Sequence, residues 1–552
     1  MRVCWTMAEN DRNCLKKLQT LRAEINWEVE DKRKKFFLEL QSLVDNWRGQ
    51  LPNLRETFQE KEIDWILTES VKTDDDQNKS ISLIDFAIKT GYKDEPDIDE
   101  DGKASLHRTT PLHRAVRRGN DTAVRILFKI YDRFDVNYTD EFGLTHFHAA
   151  CLAGLDDVVE RFLELGQVDI NCLVTETGDP PLNLAVGGEH KKVVELLLRN
   201  GANPNLTNED GSTALHIICW RENEDDDLMK IFFEINSDIQ QTIQVDARDK
   251  LGNTPLHLAS QLFVNINVAK LLLRNGADPI LAGEDGLTPL HICAMRHHNS
   301  SFAKLFLDVN DEIQQTVQID ALDHLGRTPL QLAVVNLKSN VVDVLLDRGA
   351  DLSAFVFPTE KHFDECHTET ELEKLFTTTI ERHIRKVFRL SHLLVIVKSL
   401  EKKGYEFAQN DVLTIMKIIA KFDLLKKTMD FDECLRKDGV FVDWAKTVVL
   451  SSNLSLYELM QLRIEKAEKL FKFEDDFECL QEFRYFPEEP GAAFAAHMNE
   501  IVMREFVRPW ALDSFFELTN YQLPILCCKI IIEKLMNQDL FRVCLAAADQ
   551  SS

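Results

Sequence analysis

The 552-residue chain is predicted to be all-α: a solenoid of repeated helix pairs, preceded by an N-terminal helical segment and followed by a C-terminal α-helical domain. Three observations predict this. A six-residue phrase recurs between Thr110 and Gln331. A second apolar stretch at helical spacing follows the phrase and ends in glycine. Beyond about Phe357 the phrase stops, but long apolar runs continue with few turn signals.

In chain order, residues 8 to about 48 read as one charged helix. Leu15, Leu18, Leu21, Ile25, Val29, Phe36, Leu40, Leu43 and Trp47 recur at three- and four-residue steps, and Leu51-Pro52 stops the pattern. This helix either packs on the first repeats or pairs with a second copy as a coiled coil. A polar stretch, Lys72 to Ser80, joins it to the repeats, so the first segment is 1–80.

The repeats occupy 81–355. The phrase reads Thr110-Pro-Leu-His-Arg-Ala, Thr145-His-Phe-His-Ala-Ala, a degenerate Pro180-Pro-Leu-Asn-Leu-Ala, Thr213-Ala-Leu-His-Ile-Ile, Thr254-Pro-Leu-His-Leu-Ala, Thr288-Pro-Leu-His-Ile-Cys and Thr328-Pro-Leu-Gln-Leu-Ala. Successive starts lie 35, 35, 33, 41, 34 and 40 residues apart. Thr can cap free backbone N–H groups, Pro at the first helical position wastes no donor, and the small sixth residue lets helices approach. Val193-Val-Glu-Leu-Leu-Leu, Val268-Ala-Lys-Leu-Leu-Leu and Val341-Val-Asp-Val-Leu-Leu supply second helices. Gly201, Gly276 and Gly349 end them in the left-handed conformation. Two units are longer in the same way, at Asn236-Ser-Asp-Ile-Gln-Gln-Thr and Asn310-Asp-Glu-Ile-Gln-Gln-Thr, 74 residues apart. The match implies duplication of a two-repeat block with a lengthened second helix or an enlarged exit loop. Ser82-Leu-Ile-Asp-Phe-Ala reads as a decayed first unit that caps the stack.

A period of about 33 residues carrying T-P-L-H-x-A resembles the ankyrin family, a β-turn and two helices per unit, about seven repeats here plus the degenerate cap. Such arrays bind proteins along an extended surface. His113, His216, His257 and His291 of the phrase read as a hydrogen-bonding network between turns rather than metal ligands, because each ring belongs to its own turn. The resemblance places the hairpin tips and first helices on a concave target-binding face. Positions left free by the phrase point there: Arg117, Arg118, Tyr138, Glu141, Phe142, Trp220, Arg221, Lys250, Leu251, Met295, Arg296, His324 and Leu325. Trp220 and Phe142 stand out, since Trp, Tyr and Arg dominate binding energy at interfaces and large exposed apolar groups need a reason.

The helical region 356–515 is too apolar for a linker and reads as an all-α domain on the end of the array. His362, Asp364, Glu365, Cys366 and His367 lack ligand spacing and read as a loop. Residues 516–552 carry a second phrase, Leu523-Pro524-Ile525-Leu526-Cys527-Cys528, followed by Ile531, Leu535 and Asp539-Leu540. Pro is tolerated in the first helical turn, and Ile525, Cys528, Ile531 and Leu535 recur on one face. This resembles the F-box pattern, with Leu526 where an acidic residue is usual. Together with Asp432-Glu-Cys-Leu435 and Ser455-Leu-Tyr-Glu-Leu, the arrangement resembles the PRANC family of poxviruses and parasitoid wasps, ankyrin repeats ending in an F-box-like segment. That resemblance implies that Leu523, Pro524, Ile525, Cys528, Ile531, Leu535 and Leu540 dock a Skp-type adaptor of a cullin-RING ubiquitin ligase. The alternative is a final core helix, in a scaffold or decoy that masks a signalling protein.

With 92 acidic against 65 basic side chains, the net charge is −27. That excludes a basic nucleic-acid footprint and argues against anionic membranes. No apolar run reaches the roughly 18 residues of a membrane span. The start lacks a signal-peptide apolar core, and the 12 cysteines show no disulfide or C-x-x-C spacing, so the expected compartment is the cytoplasm, with the nucleus open. Phosphate-loop, dinucleotide, nucleophile-elbow and H-E-x-x-H motifs are absent, so no enzyme activity and no cofactor are expected. The oligomeric state is not legible.

Overall fold

The structure is a computed structural model that describes residues 14–48, 50–72, 77–98, 104–221, 226–261, 266–296, 300–367, 379–421, 439–450, 453–462, 464–471 and 488–551. Among these residues the regular elements are helices, and extended pairing is confined to isolated bridges such as Thr139 with Thr145. The chain divides into two compact units, Met1–Asp278 and Pro279–Ser552.

In the first unit the expected single helix is two. One spans 14–24 and the next Glu30–Asp45; residues 8–13 lie outside the described residues. Asn26 causes the break: its Oδ1 accepts from the Glu28 N–H at 3.0 Å and its carbonyl from the Val29 N–H at 3.2 Å. An Asn that closes a local turn competes with the helix. Trp27, in that turn, packs edge-on against Phe36 and Trp65 at 5.6 and 5.7 Å. Of the predicted stripe, Leu18, Phe36 and Leu40 are buried within the unit, together with Phe37 and Val44, while Leu15 and Val29 are exposed.

Helix Glu60–Lys72 packs on the first helix of the next repeat, Pro111–Val116, and Gln77–Lys89 packs on its second, Asp121–Leu127. These two helices are therefore the capping repeat. Ser82-Leu-Ile-Asp-Phe-Ala lies in the second helix of that cap and not in a first helix as the phrase suggested. Its exit confirms the assignment. Gly91 has φ 78° and the Tyr92 N–H donates to Ala87 O, just as Gly201 has φ 94° and the Ala202 N–H donates to Leu197 O. The cap is fastened through Arg108, whose guanidinium donates to Glu60 at 2.7 Å, Asp94 at 3.0 Å and Asp64 at 3.1 Å. The Tyr131 hydroxyl donates to the same Asp64 at 3.0 Å.

Four further pairs follow: His146–Leu152 with Asp156–Leu165, Pro181–Gly187 with Lys191–Arg199, Ala214–Cys219 with Asp227–Asp238, and Pro255–Ala259 with Ile266–Arg274. First helices pack on first helices and second on second. Leu112, Leu182, Leu215 and Leu256 of the phrase are almost wholly buried, as are Ala115, Ala185 and Cys219 where close approach is needed.

In the second unit Pro289–Arg296 with Ser300–Glu312 and Pro329–Val335 with Ser339–Asp347 repeat the pattern. The two longer units resolve as lengthened second helices: 12 residues in Asp227–Asp238 and 13 in Ser300–Glu312, against 9 in Lys191–Arg199. Gln240 and Gln314 then take the left-handed exit at φ 56° and 60°, where other units place glycine. The buried Asn236 and Asn310 donate to Phe232 O and Phe306 O, each at 2.7 Å.

The phrase stops near Phe357, but its geometry continues for one more helix. The Thr359 N–H donates to His362 Nδ1 at 3.2 Å, the same cap that the repeats use, and helix Glu360–His367 packs on Pro329–Val335. Helix Thr379–Lys402 packs on Ser339–Asp347, as a second helix does. His362 is thus a capping residue on a helix, and Asp364 accepts from Lys421 at 2.7 Å; the expected loop is helical instead. Helix Glu488–Leu518 carries the rest: Thr379–Lys402, Ile464–Leu470, Ile525–Ile532 and Asn537–Ser551 all pack on it. Its core contacts include Ile501, Met503, Phe506 and Val507.

Candidate protein-binding surfaces

Four of the repeat turns are each built by one acidic or amide side chain. Asp140 Oδ1 accepts from the Phe142 and Leu144 N–H groups, both at 2.9 Å. Asn208, Asp249 and Asp323 do the same for Asp210 and Ser212, Leu251 and Asn253, and Leu325 and Arg327. Successive turns touch through backbone bonds: the Glu176 N–H to Phe142 O at 3.2 Å, Glu209 to Thr177 O at 2.8 Å, and Lys250 to Asp210 O at 2.9 Å. In the second unit the His324 N–H donates to Asp285 O at 3.2 Å. The approach leaves no room for a side chain at turn glycines that face a following turn. A Cβ on Gly211 lies 2.8 Å from Lys250 N, and one on Gly286 lies 2.6 Å from His324 N.

The phrase histidines brace these turns. In His148, Nδ1 accepts from the Thr145 N–H at 3.2 Å and Nε2 lies 3.1 Å from Cys172 O in the adjoining turn. His113, His216 and His291 repeat the bond, reaching Tyr138, Asn253 and Arg327 carbonyls at 3.3, 3.1 and 3.1 Å. With Nδ1 accepting, the ring proton sits on Nε2 and the ring is neutral. Burial lowers His113 and His148 from 6.5 to about 4 and lowers His216 and His291 as well. These are bonds between turns, as the sequence predicts.

The predicted target residues separate into three groups. Tyr138 is a correction: it is 2% exposed, and its hydroxyl donates to Asp94 at 2.6 Å, so it belongs to the core beneath the first turn. Arg117 and Arg118 are exposed and Arg221 is half-buried, and each is held by bonds to the chain itself. Arg117 bonds Asp140 at 2.8 Å and Glu176 at 3.1 Å and lies 4.1 Å from the centre of the Phe142 ring. Arg118 reaches Lys72 O at 3.3 Å, and Arg221 donates to Val186 O at 2.7 Å and pairs with Glu189. Phe142, Trp220, Lys250, Leu251, Arg296, His324 and Leu325 are exposed, Trp220 at 59%, Leu251 at 68% and Leu325 at 75%. The phrase search passed over the exposed Glu209, Asp210, Glu284 and Asp285, although each directly precedes a turn glycine or its neighbour.

The C-terminal phrase forms helices Ile525–Ile532 and Asn537–Ser551. Leu523, Pro524, Ile525 and Ile531 are exposed and Leu535 is half-buried. Cys528 and Leu540 are corrections: both are wholly buried and face helix Glu488–Leu518. The outward apolar surface is instead made by Tyr521, Leu523, Leu526, Ile530 and Met536 with Ile525 and Ile531. Period alone could not choose the face, because Ile525-Leu-Cys-Cys-Lys-Ile-Ile-Ile is apolar all round. Ser455-Leu-Tyr-Glu-Leu begins a short helix and belongs to a turn like those of the repeats. The Leu456 N–H donates to Val448 O and Leu450 to Leu454 O, matching His146 to Tyr138 O and Asp140 to Leu144 O. Ser455 and Glu458 take the places of Thr145 and His148, and Asn453, φ 60°, that of Gly143. Asp432-Glu-Cys-Leu435 lies outside the described residues.

Among the described residues no helix is long and apolar enough to cross a membrane.

Known proteins share the repeat region. The family described as ankyrin repeats (3 copies) matches at 77–174, 112–208, 182–282 and 265–355, together half of the chain. Human transient receptor potential cation channel subfamily A member 1 is 27% identical over 272 residues, 49% of this chain and 22% of that protein. The E3 ubiquitin-protein ligase KEG of Arabidopsis thaliana is 28% identical over 265 residues, 44% of this chain and 15% of that protein. Human B-cell lymphoma 3 protein is 32% identical over 146 residues, 26% of this chain and 30% of that protein. The chain thus spans less than a third of the length of these relatives. The solved ankyrin repeat domain of Bcl-3 aligns at a TM-score of 0.33 and 26% identity, over 39% of this chain and 90% of that one.

Proposed function

The chain belongs to the ankyrin-repeat family, and from that premise we propose that it is a non-enzymatic adaptor with two binding ends. Ankyrin repeats imply protein–protein interaction. The finer reading is that the turn tips hold a target protein while the C-terminal helices recruit a Skp-type adaptor of a cullin-RING ligase. Ubiquitination of the target then follows from raised effective concentration, with no catalytic group in this chain.

The observation that carries the recruiting half is the apolar surface from Tyr521 to Met536. A run of exposed Leu, Ile, Tyr and Met on one short helix and the turns that flank it is the chemistry of a docking face. The docking set in this reading is Leu523, Pro524, Ile525, Ile531 and Leu535, widened by Leu526 and Ile530. Cys528 and Leu540 act from beneath as core.

The test is capture of a purified Skp-type adaptor by the full chain, against Leu523→Ala/Pro524→Ala and Leu526→Asp/Ile530→Asp variants. Loss of capture with an unchanged thermal melt is expected, since exposed substitutions shift stability by only about 0.5 kcal/mol. Equal adaptor recovery by all three proteins removes the ligase link and leaves the scaffold or decoy.

A further inference from the structure

The turn tips alternate in chemistry, and they do so twice. In the first unit Glu209-Asp210-Gly211 is bonded to Lys250-Leu251-Gly252; in the second Glu284-Asp285-Gly286 is bonded to His324-Leu325-Gly326. Leu251 and Leu325 lie 74 residues apart, and Asp210 and Asp285 lie 75 apart, so each pair is one copy of the duplicated two-repeat block. The bond is the same in both: the Lys250 N–H to Asp210 O at 2.9 Å and the His324 N–H to Asp285 O at 3.2 Å. In both, the leucine stands out in solvent beside a Glu-Asp pair that is itself exposed. Among the described residues, Leu325 is the most exposed large apolar side chain.

We propose that these tip pairs are duplicate subsites for one kind of ligand, an extended protein segment that alternates basic and apolar side chains. The proposal rests on the target-binding half of the function above and specifies what that target presents. Three features of the tips select this ligand. A leucine held in water at the tip of a turn is stabilised when a partner covers its apolar surface. Each pair keeps a negative balance: Glu209, Asp210 and Asp249 against Arg248 and Lys250, and Glu284, Asp285 and Asp323 against Arg327. Complementary charge then steers a cationic segment and rejects an anionic one. The backbone bond between tips fixes the leucine next to the acids, so a single segment meets both chemistries at adjacent residues.

The test uses a labelled peptide of alternating leucine and arginine, titrated with the full chain in about 0.15 M salt and read by fluorescence anisotropy. Peptides of alternating serine and arginine, and of leucine and glutamate, are the controls. Leu251→Ser and Leu325→Ser are each expected to weaken binding about tenfold, as are Asp210→Lys and Asp285→Lys. Glu160→Lys with Glu164→Lys changes charge on an outer helix and is expected to move binding less than about twofold. Equal binding of the serine–arginine peptide overturns the proposal, because leucine is then not read. So does an equal loss in the outer-helix variant, which reduces the effect to bulk charge. An unchanged affinity in both leucine variants overturns it directly. None of these variants touches the C-terminal helices, so adaptor capture is measured alongside: failure here leaves that half standing, and loss of both marks a folding defect.

Discussion

The buried guanidinium of Arg504, on helix Glu488–Leu518, donates to the main-chain carbonyl of Leu535 at 2.7 Å. Four residues earlier on the same helix, Glu500 accepts from the Asn537 N–H at 2.9 Å, and its carbonyl accepts from the Asn537 side chain at 3.2 Å. These bonds hold the joint between the last two helices, while the apolar side chains of Ile525–Ile532 and its flanks stay in solvent. Arg504→Met is expected to cost about 2–3 kcal/mol through loss of a charge-assisted bond to a buried carbonyl. Hydrogen exchange is expected to rise selectively across 519–551, and adaptor capture to fall although no exposed docking residue has changed. Uniform exchange throughout the second unit would show that Arg504 supports the core alone.

The neutral, buried histidines make the repeats acid-sensitive. His148 has an ordinary pKa of 6.5 that burial lowers to about 4, so the unfolded chain takes up a proton before the folded one does. Its contribution is complete above pH 6.5 and is lost as pH falls toward 4, by on the order of 3 kcal/mol. The chain contains its own pH-independent substitute. Gln331 Oε1 accepts from the Thr328 N–H at 3.0 Å and its Nε2 donates to Val356 O at 3.2 Å, the bonds His148 makes. His148→Gln is therefore expected to melt within about 1 kcal/mol of wild type at pH 7 and to lose less on acidification. Urea midpoints at pH 7 and pH 5 check this; parallel losses in the two proteins refute it.

Two turn glycines should respond differently from a helix-end glycine. Gly211 and Gly286 combine φ 76° and 75° with backbone nitrogens inside van der Waals reach, whereas Gly201, φ 94°, has open space around it. Alanine at Gly211 or Gly286 is expected to cost about 3 kcal/mol and at Gly201 about 1 kcal/mol. Denaturation of the three variants gives the ranking, and equal costs would mean that the turns slide apart without penalty.

Arg108 neutralises carboxylates that nothing else reaches as well. Burial raises Asp64 and Glu60 above the ordinary carboxylate range even with the guanidinium present. Arg108→Met strands Asp64 and the buried Asp94, and is expected to cost about 3 kcal/mol. Limited proteolysis should then cut within 14–98 before the later repeats are attacked. First cuts elsewhere would show that the cap is held by its apolar core and not by this cluster.

The turn before Ser455 offers a check on its likeness to the repeats. Asn453→Ala and Ser455→Ala are each expected to cost about 1 kcal/mol, through the left-handed φ and the lost cap respectively. Asn453→Gly should cost nothing, as glycine fills that place in the repeats. If glycine destabilises as much as alanine, the side chain of Asn453 matters and the likeness is superficial.

Much of the fold is legible because ankyrin chemistry is local. Thr145 caps its own helix, Asp249 closes its own turn and Gly276 ends its own second helix, so each leaves a mark within a few residues. The cap's first helix and the repeat-like turn at Ser455 are not legible, for the opposite reason. Their caps and exits keep the geometry with other residues, Tyr92 after Gly91 and Glu458 in place of histidine, and a search for letters misses a bond that different side chains can make.

By itself, the sequence determined the period, the helix pairs and their caps, because those depend on neighbours in the chain; the neutral state of the bracing histidines follows from burial and from bonds to carbonyls in the next turn. Tertiary structure alone decided which predicted contact residues meet solvent. Tyr138 is drawn under its turn by Asp94, 44 residues away, and Cys528 turns inward while Leu526 turns out on a helix that is apolar on every side. Exposure depends on what the rest of the chain lays over a residue, and no local pattern carries that information.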